Sequence, residues 1–148
     1  KQTSIYNVEV PCGWEKIKLW PYEEGSEPAQ HVNNKLLAEQ KYLNVKLGEI
    51  EHRYRLPNEE YDELLSKSVV LLDLWDTSAN NTVLECIQRA VPIVVKNHPA
   101  VREYLGEEYP LYFQELSEIK GLLSDYNLQK AWRYLNTLRE FQFLCFQL

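Results

Sequence analysis

The 148-residue chain reads as an α/β protein, a Rossmann-like parallel sheet flanked by helices, preceded by an irregular N-terminal segment. Two observations point there. The runs Ser68–Leu74 (SVVLLDL) and Val91–Lys96 (VPIVVK) are dominated by β-branched and aliphatic residues, short enough for strands and apolar enough to be buried on both faces of a sheet. Between and after them the apolar residues fall at helical spacing, and strands that alternate with helices in this way build right-handed βαβ units.

Taken in order, residues 1–45 stand apart. Pro11, Gly13, Pro21, Gly25 and Pro28 interrupt short apolar pieces around Trp14 and Trp20, which predicts irregular structure with one short strand at Ile17–Trp20. Val32, Leu36, Leu37 and Leu43 then fit one helical face, so a helix is expected over 32–43. A second region, 46–148, is expected to form the Rossmann-like domain. It opens with a strand at Glu49–Leu56. Pro57-Asn58 introduces a helix over Glu59–Ser66, with an acidic first turn that suits the helix dipole. After the SVVLLDL strand come a polar loop, Trp75–Asn80, and a helix over Asn81–Ala90. Pro92 ends that helix and Val91–Lys96 is the next strand. A helix over Ala100–Leu105 stops at Gly106, where a left-handed cap is expected. Tyr109–Phe113 is a last short strand, and Ser117–Leu123 and Leu128–Phe146 close the chain as helices.

Composition narrows the function. Hydrophobic residues make up 45% and charged residues 26%, the range of proteins that fold in water around a core. A net charge of −6 offers no broad basic surface for a nucleic-acid backbone, so no nucleic-acid partner is expected. A small phosphorylated ligand remains compatible, because backbone N–H groups at a helix start hold phosphate without Lys or Arg. Cys12, Cys86 and Cys145 lack metal-ligand spacing and read as reduced thiols; with no signal-peptide pattern and no apolar stretch of membrane-spanning length, a cytoplasmic protein without a membrane span is expected. The missing initiator Met and an opening in mid-pattern at Lys1 point to a piece of something longer.

In an open parallel sheet, ligands bind beyond the carboxyl ends of the strands, where loops lead into helices. Two loops qualify: 75–82 after SVVLLDL, and Asn97-His98-Pro99 after VPIVVK. The first is rich in hydrogen-bonding groups, with Ser78, Asn80, Asn81 and Thr82 ahead of an apolar helix whose free N–H groups would face the crevice, a cradle for a diphosphate. Glu85, one turn further, could accept from the vicinal hydroxyls of a ribose. Thr82-Val83-Leu84-Glu85 also matches a capping box, in which Glu85 serves only helix stability. His98 fits either a phosphate contact or a base, or a turn residue before Pro99. Trp14, Trp20, Trp132 and Tyr134 could stack on a base or sugar, or pack in a core.

The stretch NNTVLECIQRAVPIVVKNHPAVREYLG, Asn80 to Gly106, resembles the donor-binding core of glycosyltransferases of the GT-B fold: a loop, a helix bearing an acidic residue, a small residue-x-Pro, a β-branched strand, then another loop and helix. Glu85, Ala90 and Pro92 fall at those positions, and with YPLYF the similarity covers roughly residues 49–146. The resemblance implies an enzyme, or the donor-binding part of one, that transfers a sugar from a nucleoside-diphosphate sugar to a hydroxyl acceptor. Glu85 would bind the donor ribose, and Asn80, Asn81 and Thr82 would approach the diphosphate or sugar. Neither metal nor cofactor is implied. A GT-B enzyme has two Rossmann-like halves, so the acceptor-binding half would lie outside these residues, and the apolar segment 132–148 could pack on that half or on its own sheet. Two positions depart from the pattern: Thr77 stands where retaining members often carry a second Glu, and Ala90 where a Gly is usual. The resemblance therefore implies neither a retaining nor an inverting outcome and no particular catalytic base. The rival readings are a flavodoxin-like signalling module, with Asp73 or Asp76 and Lys96 at strand ends, and a non-catalytic transferase-like domain that binds a protein partner.

Overall fold

The computed structural model describes residues 4–43, 50–74 and 80–147. The chain is α/β, with parallel sheets flanked by helices, and it divides into two compact units, 1–61 and 62–148.

The first unit is a βαβ motif. Strand β1 (Lys16–Leu19) pairs in parallel with β2 (Ile50–Arg53), Lys16 opposite Ile50, and helix α1 (Glu27–Leu43) lies between them in sequence. The helix starts earlier than its apolar pattern predicts. Ser26 caps it, its hydroxyl accepting from the Ala29 amide at 3.4 Å, and Pro28 sits in the first turn, where its missing N–H costs nothing. The inward face is Ala29, Val32 and Leu36; Leu37, expected on that face, is 54% exposed because one residue's step turns it about 100° away from Leu36. Tyr6, Leu36 and Ile50 form the buried cluster, with Trp20 and Val32 against it. Residues 50–61, expected with the C-terminal sheet, fall in this unit, since β2 finds its partner in β1.

His52 of β2 lies against Trp20, the rings nearly parallel with centroids 6.0 Å apart, and its Nδ1 accepts from Trp20 Nε1 at 3.0 Å. The ammonium of Lys18 stands 4.9 Å over the same indole. Burial, and then the Lys18 charge, hold the imidazolium form of His52 below its ordinary pKa of 6.5. Between 6.5 and that lower value the unfolded chain binds more protons than the folded one, so stability of this unit falls as pH drops below 6.5. Thermal melts between roughly pH 5 and 8 should show that slope, and His52→Asn, which keeps an acceptor but does not titrate, should flatten it.

The second unit holds three parallel strands in the order β3-β4-β5: β3 (Val70–Leu72), β4 (Ile93–Lys96) and β5 (Tyr112–Phe113). Val70 lies opposite Ile93, and Val95 opposite Tyr112. Helix α2 (Asn58–Ser66) precedes β3; α3 (Asn80–Arg89) crosses from β3 to β4, and α4 (Pro99–Leu105) from β4 to β5. Both crossovers step the same way along the sheet, and α3 and α4 touch. A 3-10 turn (Leu116–Glu118), a short α5 (Ile119–Leu122) and the long α6 (Asp125–Gln147) complete the unit.

Strand β4 is the buried centre: Ile93, Val94 and Val95 are at most 1% exposed. Val83 and Ile87 of α3, Val101 and Leu105 of α4, and Ala131 and Leu135 of α6 are wholly buried, and each of the larger aliphatics contributes about 1.5–3 kcal/mol by leaving water. The SVVLLDL run does not lie buried on both faces. All three residues of β3 are only half-buried, because among the described residues β3 has a strand neighbour on one side alone. Helix α6 rests on α3, and Arg139 Nη1 reaches the Gln88 carbonyl at 3.3 Å; the side chains beyond Glu140 lie outside the described residues.

Helix α3 ends in a left-handed residue. Ala90 has φ 51°, the Val91 amide returns to the Cys86 carbonyl at 2.9 Å, and the Ala90 amide returns to Ile87 at 3.2 Å, the double closure of a Schellman turn. Gly106 after α4 has the expected positive φ of 82°, but ψ 161° makes it extended rather than left-handed helical. Strand β5 begins three residues later than expected, for a reason found in Tyr109. Its phenol occupies the ladder position beside Ile93, accepting from the Ile93 amide at 3.0 Å and donating to the Ile93 carbonyl at 2.8 Å.

Candidate functional site

The carboxyl ends of β3, β4 and β5 carry most of the sequence-predicted site. Asn80, Asn81 and Thr82 occupy the first turn of α3, the end of a helix at which the backbone amides have no partner within the helix itself. Asn81 is exposed and Thr82 half-buried; Ser78, with Asp76 and Thr77, lies outside the described residues. Helix dipole and free amides make this turn favourable for anionic oxygens.

Glu85 is half-buried as the sixth residue of α3. A capping box would need Thr82 outside the helix with extended backbone, and Thr82 is instead its third residue. At the opposite, C-terminal end of α3, Arg89 Nε and Nη2 meet Asp62 Oδ1 at 2.9 and 2.7 Å. Cys86, next to Glu85, is buried; desolvation first, then the Glu85 charge, pushes its thiol up to about 12, so it is an inert core residue rather than a nucleophile.

His98 caps α4. With φ −125° and ψ 139° its Nδ1 accepts from the Ala100 amide at 3.2 Å, and Pro99 follows at the first helical position. The turn role in the sequence is thus occupied, and with Nδ1 accepting, Nε2 is the ring nitrogen not used by the cap. Lys96 is committed as well: its ammonium donates to the Gln114 carbonyl and lies 5.7 Å over the Phe113 ring. The signalling reading would need that ammonium beside a strand-end carboxylate.

Beyond β5 the chain is fixed by Glu118, whose Oε2 accepts from the Glu115 and Gln114 amides at 2.7 Å each, holding its carboxyl below the usual range. Sequence reasoning missed Asn97. It stands between Lys96 and His98, its amide bonded to the Phe113 carbonyl at 2.9 Å, and its side-chain Oδ1 is buried without a hydrogen-bond partner among the described residues. Its place at a strand end was the available signal. Of the aromatic candidates, Trp132 is 52% exposed on α6, whereas the Tyr134 hydroxyl donates to the Leu105 carbonyl. Trp14 and Trp20 belong to the first unit. Among the described residues no group of three or more His, Cys, Asp or Glu could hold a metal ion, and no helix is long and apolar enough to cross a membrane.

Comparison with protein-family models, with curated proteins and with solved structures finds no match.

Proposed function

We propose that the second unit is the sugar-nucleotide-binding half of a glycosyltransferase of the GT-B kind, an enzyme that moves a sugar from a nucleoside-diphosphate donor to a hydroxyl acceptor. The observation that carries this reading is the placement of α3: it starts at Asn80, after the carboxyl end of β3, and Glu85 lies half-buried in its second turn. Ala90 adds support. The family pattern has Gly there, and the backbone at Ala90 is the left-handed one that favours Gly, so the departure is in side chain and not in conformation.

In this reading the amides of Asn80, Asn81 and Thr82 hold the donor diphosphate and stabilise the charge that develops as it leaves, while an acceptor hydroxyl attacks the anomeric carbon. Glu85 accepts from the ribose hydroxyls, and His98 offers Nε2–H to an oxygen of the donor. The acceptor-binding half and the base that deprotonates the acceptor lie outside the described residues. A cytoplasmic location accords with an exposed Cys12 and a buried Cys86, both free thiols.

Calorimetric titration with UDP, GDP, ADP and TDP and their sugars tests the reading. One of these should bind, and Glu85→Ala should weaken it about tenfold to a hundredfold, the loss of charge-assisted hydrogen bonds of roughly 1.5–3 kcal/mol, with little change in melting temperature. Unchanged affinity with a lowered melting temperature would return Glu85 to a purely helical role.

A further inference from the structure

We infer that Asn97 is a donor-recognition residue whose side-chain oxygen accepts a hydrogen bond from a hydroxyl or N–H of the bound nucleotide sugar, an inference that rests on the donor-binding reading. Buried polar atoms in folded proteins are nearly always hydrogen-bonded, because an unmet one costs the full desolvation of the group. Asn97 Oδ1 is buried and unmet. Among the described residues the side chain has no local task to account for this: the strand is held at this point by the Asn97 amide on Phe113, and α4 is capped by the neighbouring His98 and not by Asn97.

The missing partner has a definite chemistry. A carboxamide oxygen only accepts, so the group that meets it must donate. Phosphate oxygens are thereby excluded, and ribose, the transferred sugar or a base N–H remain. Placement agrees, since Asn97 follows β4 at the edge where α3 opens after β3, the strand beside β4. The diphosphate would then lie on the α3 amides and a neutral donor group against Asn97. An acceptor left unsatisfied in the free protein and satisfied in the complex gives selectivity, because an analogue lacking the donor group leaves the cost in place.

The test uses Asn97→Leu and Asn97→Asp in the full chain, titrated with whichever of the UDP, GDP, ADP and TDP glucose esters binds the wild type most tightly. Asn97→Leu should weaken binding tenfold or more while the ligand-free melting temperature stays level or rises, since a polar atom without a partner has been removed. Asn97→Asp, which still accepts from a hydroxyl but repels phosphate, should bind within a few-fold of wild type. Loss of binding in both variants would overturn the inference in favour of a phosphate contact. Full affinity in Asn97→Leu, or a melting temperature lowered by several degrees with affinity intact, would show a structural residue. If the wild type binds none of the four esters while retaining its fold, the donor-binding reading itself fails.

Discussion

Tyr109→Phe is expected to lower the stability of the second unit by about 3 kcal/mol, although it removes one oxygen atom. Strand β5 starts too late to pair with Ile93, so the Tyr109 hydroxyl takes the place of a backbone neighbour, accepting from the Ile93 amide at 3.0 Å and donating to its carbonyl at 2.8 Å. Ile93 is 0% exposed and Tyr109 3%, so no water can replace the hydroxyl without opening the sheet. Two backbone groups would be left unbonded, each costing about 1–3 kcal/mol, partly offset by no longer burying the phenol oxygen. Burial accordingly pushes the Tyr109 ionisation well above its ordinary range. Urea unfolding followed by circular dichroism should show a lower midpoint with an unchanged slope. Tyr112→Phe is the control: that hydroxyl bonds the Gly106 carbonyl at 2.7 Å at a half-buried site where water can substitute, and the loss should stay below about 1 kcal/mol. Equal effects from the two changes would contradict this account.

Gly106→Ala carries the second large expected effect, again about 3 kcal/mol of destabilisation. At φ 82° and ψ 161°, Gly106 occupies backbone space that is essentially closed to other residues. An added Cβ would also run into the Tyr134 hydroxyl, whose bond to the Leu105 carbonyl ties α6 to the end of α4. Strain and collision can be separated. In a Tyr134→Phe background the collision is relieved and the strain stays, so thermal unfolding of the double variant should recover part of the loss. Complete recovery would show that the backbone stores no strain there; no recovery would show that the hydroxyl yields freely.

Much of the second unit was legible because its strongest signals are local. Isoleucine and valine at 93–95, apolar residues at helical spacing in α3, Pro99 after a capping position and Gly106 at a helix end each report the backbone that they favour. What escaped prediction depends on partners distant in sequence. The Ile50 strand alternates well enough to be recognised, but alternation does not say that β1 is its neighbour. The SVVLLDL run is as apolar as a central strand and yet, among the described residues, has a strand neighbour on one side only, because burial follows from what stands beside it. The apolar pattern puts Leu37 on the inward face although it lies about 100° from Leu36 around the helix; the Ser26 cap was the sign of a start earlier than Val32.

The candidate site was legible to the same degree. Spacing alone offered Glu85 either a cap or a ligand, and the described helix places it as the sixth residue of α3, half-buried. For His98 the cap that spacing also offered is present, made through Nδ1 alone. Asn97 could not be singled out from sequence, since an orphaned oxygen is a property of its surroundings.

Amide chemical-shift mapping by NMR tests the central claim most directly. Addition of the binding nucleoside diphosphate should move the backbone amides of Asn80, Asn81 and Thr82 most, with Asn97 and His98 following when the sugar is attached. Shifts confined to other elements, or none at all on a folded chain, would contradict it.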